Sequence, residues 1–62
     1  MTYYLIQLTV DNVKKYYFNR RTLVRHISLA HPFPSEELAL LSFRKSKFKD
    51  LPYHFIQKEL PY

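Results

Sequence analysis

The chain has 62 residues, with ten Lys and Arg against five Asp and Glu for a formal charge of +5, and it contains neither cysteine nor glycine. Without cysteine there are no disulfides and no zinc–thiolate sites. Without glycine there is no phosphate-cradling loop of the Walker or dinucleotide type, because such loops need a backbone that can approach the anion closely.

A chain this short buries only about 60% of the surface it exposes when unfolded. One small domain with a thin core is therefore expected. Six Tyr and five Phe offer large buried areas to support it, and the same surplus of aromatic surface permits homo-oligomerisation. Met1 to Val10 carries no charged side chain, is interrupted by Gln7 and Thr9 and meets Asp11, so it reads as mature structure and not as a secretory signal. No run approaches the roughly 18 apolar residues of a membrane span. With the absence of cysteine, this points to a cytoplasmic protein without a membrane partner.

Thr2 to Val10 alternates, with Tyr4, Ile6, Leu8 and Val10 on one side and Tyr3, Leu5, Gln7 and Thr9 on the other, the pattern of a strand. Asp11-Asn12 is a turn signal, and in a chain without glycine these are the residue types that accept left-handed backbone. Val13 to Asn19, rich in Tyr and Phe, then completes a hairpin.

Two registers compete for this hairpin. A two-residue loop sets Val10 opposite Val13 and Ile6 opposite Tyr17, with Phe18 and Lys14 on the other side. A three-residue loop ending on a left-handed Asn12 pairs Leu8 with Lys14, Ile6 with Tyr16 and Tyr4 with Phe18. The second is expected, because it gathers Tyr4, Ile6, Leu8, Tyr16 and Phe18 on one buried face and leaves Tyr3, Gln7, Thr9, Lys15 and Tyr17 outside. A Tyr17 more buried than both Tyr16 and Phe18 would reverse that choice.

Between Thr22 and His31, helical spacing places Leu23, Val24, Ile27 and Ala30 within an arc of about 120°, against a three-to-two split between the faces of a strand. Periodicity favours a helix. The β-branched Val24 and Ile27 oppose it, as do Arg20 and Arg21 beside a positive helix N-terminus. His31-Pro32-Phe33-Pro34 breaks whatever precedes it.

The clearest helix follows. Ser35 is a good N-cap, Glu36 and Glu37 complement the N-terminal dipole, Leu38 to Leu41 and Phe43 supply packing, and Arg44, Lys45 and Lys47 complement the C-terminus. After Asp50-Leu51-Pro52, the segment Tyr53 to Leu60 fits a short helix through Tyr53, Ile56 and Leu60, with a third strand as the alternative. Leu-Pro-Tyr occurs at 51–53 and again at 60–62, but two short matches do not establish a repeat. The expected fold is α+β: an N-terminal β-hairpin packed against two helices, with a short C-terminal helix or third strand.

Two basic clusters carry the functional signal. Lys14, Lys15, Tyr17, Arg20, Arg21 and Arg25 interleave cations with aromatic residues, the combination that holds phosphates while bases stack. Arg44, Lys45, Lys47 and Lys49 add four cations that also complement the end of the helix. If the hairpin and the helix end lie on one side, the clusters form a single patch. A helix-turn-helix is disfavoured, because the second helix would present Glu36 and Glu37 to phosphates.

Catalytic material is sparse. His26 and His31 are five residues apart, off a common helical face, so they do not make an i,i+4 metal pair. No Ser sits in a nucleophile motif. A non-enzymatic binding or regulatory protein is expected, without metal or cofactor. Its expected partner is nucleic acid, single-stranded or recognised without sequence preference. The alternative is an acidic protein surface on which it docks as a modulator or inhibitor.

Overall fold

The computed structural model describes residues 1–59. In chain order it places β1 (Thr2–Val10), β2 (Val13–Asn19), β3 (Thr22–Val24), a 3-10 turn (Ile27–Leu29), α1 (Glu36–Arg44) and β4 (Tyr53–Glu59). The strands form one antiparallel sheet in the order β3-β2-β1-β4. The expected α+β arrangement with two helices is thus corrected to a sheet-dominated fold carrying one α-helix.

The β1–β2 connection is the two-residue loop. Val10 pairs with Val13 and Gln7 with Tyr16, and Asp11 and Asn12 both adopt positive φ, 53° and 66°. This is the backbone of a type I′ turn, whose twist matches that of the flanking strands. The expected three-residue register is therefore overturned. Tyr17 is 1% exposed while Phe18 is 46% exposed and Tyr16 is half-buried.

The core does lie on the even-numbered side of β1, at Ile6 and Leu8, but the expectation gave that side the wrong residues of β2 and left the other side unburied. In fact β1 is buried on both faces, at Leu5 and Gln7 as well as Ile6 and Leu8. Tyr17 takes the core position because its ring fits between Phe33 and Phe43, 6.0 Å from each centroid. Its hydroxyl also finds a partner in the Ser42 hydroxyl at 2.9 Å, as a buried phenol requires.

Residues 22–31 form no α-helix. Leu23 and Val24 pair with Tyr17 and Tyr16, and a bulge between Tyr17 and Asn19 leaves Phe18 as the extra residue. The Arg21 N–H donates to the Asn19 side-chain oxygen at 2.8 Å, reversing the chain at Arg20-Arg21. Only Ile27–Leu29 turns, as a 3-10 element, and the Ala30 N–H donates back to the Ile27 carbonyl at 3.1 Å. Beyond it the His31 N–H donates to the Tyr17 carbonyl at 3.0 Å, and Phe33 exchanges two backbone bonds with Tyr4. Extended backbone at these residues serves polar groups on β1 and β2, a tertiary demand that outweighs helical spacing.

The C-terminal segment is strand and not helix. It pairs with β1 without interruption from Thr2↔Glu59 to Leu8↔Tyr53. A helix there would leave that edge of a buried strand unpaired. Leu60 and the second Leu-Pro-Tyr lie outside the described residues.

The α1 expectation is met at its start. Ser35 is the N-cap, and its hydroxyl accepts from the Leu38 N–H at 3.2 Å. Packing differs from the expected set. Ala39 and Phe43 are buried and Leu40 is half-buried, whereas Leu38 and Leu41 face outward. The helix covers the face of the sheet that carries Ile6, Leu8 and Tyr17, with Leu23, Phe48, Leu51 and Phe55 around the margin. Among the described residues no α-helix lies over the opposite face. Among the described residues no helix is long and apolar enough to cross a membrane.

Candidate nucleic-acid interface

Side chains of directly opposed residues share a face of the sheet, so the pairings place every sequence-selected residue. Lys14 opposes Thr9 and lies exposed on the uncovered face. Lys15 opposes Leu8 and lies half-buried on the helix side. Tyr17 is in the core. The expected outer surface of Tyr3, Lys15 and Tyr17 therefore does not exist, and Tyr17 cannot stack a base.

Arg20 and Arg21 form the β2–β3 turn, at the far end of β2 from Lys14, and Arg25 is exposed just past β3. The first cluster is thus divided between two faces and two ends of the sheet.

Its turn residues gain new neighbours. The Lys47 N–H donates to the Arg20 carbonyl at 3.3 Å, which seats the segment after α1 against the β2–β3 turn. That segment is held in shape by Ser46. Its hydroxyl donates to the Phe43 carbonyl at 2.7 Å and accepts from the Phe48 N–H at 3.2 Å. The Lys47 ammonium lies 5.6 Å from the centroid of the Phe48 ring, within cation–π range. Arg20, Arg21, Arg44, Lys45, Lys47 and Lys49 are all exposed. The two clusters do approach one another, through the turn and not through the strand.

The uncovered face supplies aromatic surface that was read in the sequence as core. Tyr16 lies there, opposite Gln7 and beside Val24. His54 flanks Gln7 from the other side. Phe18 stands exposed at the bulge, one residue from Asn19 and the basic turn. The missed signal was Asp11-Asn12 itself: two adjacent residues tolerant of left-handed backbone specify a two-residue turn, and that turn fixes which of Tyr16, Tyr17 and Phe18 face outward.

Farther along the same face, toward the start of β1, a groove of ≈ 730 Å³ opens between β1 and the 27–34 segment, lined by Tyr3, Leu5, Ile27, Ala30, Pro32 and Pro34 among others. No group of three or more His, Cys, Asp and Glu able to hold a metal ion occurs among the described residues. Comparison with models of protein families, with curated proteins and with solved structures finds no match for this chain.

Proposed function

We propose that the protein binds single-stranded nucleic acid with little sequence preference. In this reading phosphates lie at the β2–β3 turn and the end of α1, and bases lie on Phe18 and Tyr16. The observation that carries the reading is the Lys47–Arg20 backbone bond, which makes neighbours of two cationic segments more than twenty residues apart in sequence. Clustered exposed cations next to outward aromatic side chains are what a strand with a charged backbone and unstacked bases requires. For a duplex α1 is a poor match, since it presents Glu36 and Glu37 at its N-terminus.

An acidic protein is the competing partner, favoured by Leu38 and Leu41, which stand 48% and 53% exposed on the outer side of α1. Charge reversal separates the two. Arg21→Glu and Lys47→Glu, one from each side of the merged cluster, should each weaken binding of a fluorescent oligonucleotide severely, while Leu41→Ser leaves it unchanged. Feeble binding that neither charge reversal alters would contradict the proposal. Retention of a stoichiometric protein from lysate after nuclease treatment, with loss in Leu41→Ser, would support the protein partner instead.

A further inference from the structure

The sheet has two unlike edges. At one lies β3, three residues long and joined to a bulged stretch of β2, and shortness and bulging are features that keep an edge from pairing further. At the other lies β4, whose seven residues pair with β1 without a shift of register. It contains no proline, and its charged residues Lys58 and Glu59 come only at its end. Apart from the ladder with β1, none of the backbone hydrogen bonds among the described residues involves Tyr53 to Glu59.

Which groups stand open on β4 follows from Tyr4, which exchanges two backbone bonds with Phe33 on the side of β1 away from β4. The N–H and C=O groups of successive strand residues turn to alternate sides, so Tyr3, Leu5 and Gln7 are the residues that bond to their partners Lys58, Ile56 and His54. Tyr53, Phe55, Gln57 and Glu59 therefore turn theirs outward. Such a row of donors and acceptors is what another strand completes.

We propose that this edge pairs with β4 of a second copy of the chain, antiparallel, about a two-fold axis normal to the sheet at Ile56. Directly opposed residues share a face, so a symmetric antiparallel pair must set one residue opposite itself. Ile56 is the middle of β4, and only this choice pairs all seven of its residues. Ile56 then meets Ile56 on the uncovered face, while on the helix side Phe55 meets Gln57 and Tyr53 meets Glu59, a phenol beside a carboxylate. His54 and Lys58 meet where both are exposed to water. The pairs Phe55 with Gln57 and Tyr53 with Glu59 are also those with outward backbone groups, and across the axis they exchange about eight hydrogen bonds.

A second copy suits this edge better than a free extended peptide. Its β4 is already held extended by β1, whereas a peptide gives up its backbone freedom on becoming a strand. Pairing also covers what remains open of Phe55 and Ile56, both half-buried. The charge of +5 on each copy opposes association, and salt screens it. Pairing should therefore strengthen with salt, the reverse of the response expected for nucleic acid.

Sedimentation equilibrium of the nuclease-treated chain from about 10 µM to about 1 mM tests the pairing, over the range in which a small interface populates a dimer. The mass should rise from one chain toward two with concentration, and should rise further in about 0.5 M salt than in about 0.05 M. Over the same range the amide protons of Phe55 and Gln57 should shift downfield in NMR spectra, while those of Leu23 and Val24 at the other edge stay in place. Gln57→Pro removes an outward N–H and spares the ladder with β1, so it should melt as a folded protein and keep the mass of one chain. If that variant does not fold, the amide shifts of the wild type decide. A wild type that stays a single chain at the highest concentration in both salts, a folded Gln57→Pro that still doubles in mass, or a dimer in which the Phe55 and Gln57 amides do not move overturns the pairing. Each of these results leaves the nucleic-acid reading as it stands.

Discussion

The hydroxyl of Tyr17 meets the hydroxyl of Ser42 at 2.9 Å, joining the middle of β2 to α1 across 25 residues of sequence. It is the polar end of the largest fully buried side chain in the core. Tyr17→Phe keeps the ring and removes the bond, so it should cost about 1 kcal/mol. Ser42→Ala should cost a similar amount, and the double variant should cost less than the sum, because each change removes the same interaction. Tyr17→Ala should leave the chain largely unfolded, since the roughly 3–5 kcal/mol of a large-to-small change equals the whole stability expected of so small a core. Urea denaturation followed by circular dichroism measures each.

The turn makes a second prediction. Asn12 sits at φ 66°, where a residue with a Cβ is strained and Asn is among the least so. Asn12→Gly should preserve or slightly raise stability, and Asn12→Ala should lower it by about 1 kcal/mol. The reverse order in thermal melts would mean that the loop is not of this type.

At α1, Ser35→Ala removes the acceptor for the Leu38 N–H and should cost about 1 kcal/mol. Ser35→Asp should retain the cap. If Ser35→Ala and Ser35→Asp melt at the same temperature as the wild type, the cap contributes nothing to the folded state.

Stacking predicts a separation between binding and stability. Phe18 is exposed at the bulge, so Phe18→Ala should change the melting temperature little while weakening oligonucleotide binding by about 1–3 kcal/mol, the range for loss of one base–aromatic contact. Equal binding by Phe18→Ala and wild type would remove Phe18 from the interface.

Much of the local structure was legible in the sequence, and the long-range pairing was not. Alternation identified β1 and β2, and the Ser35 cap with its flanking charges placed the start of α1, because those signals lie within a few residues of one another. The partners of Leu23 and Val24, and those of Tyr53 to Glu59, depend on which strand edges stand open across the fold. Helical spacing in both segments was therefore outweighed by backbone groups on β2 and β1 that needed partners. The site divided in the same way. The residue types of a cationic, aromatic surface could be read directly, but a one-residue difference in turn length exchanged Tyr17 for Tyr16 and Phe18. The approach of Lys47 to Arg20 has no sequence signature.

Whether Arg20, Arg21, Arg44, Lys45, Lys47 and Lys49 act as one phosphate-binding end is read most directly from the salt dependence of affinity for a single-stranded oligonucleotide, measured by anisotropy. At about −0.7 per phosphate neutralised, six cations engaged together give a slope of about −4 in log affinity against log salt, and the triple variant Lys45→Ala, Lys47→Ala, Lys49→Ala should reduce it to about −2. A wild-type slope no steeper than about −1.5, the value for Arg20 and Arg21 alone, or a slope unchanged in the triple variant, would contradict the joining of the two clusters into one site.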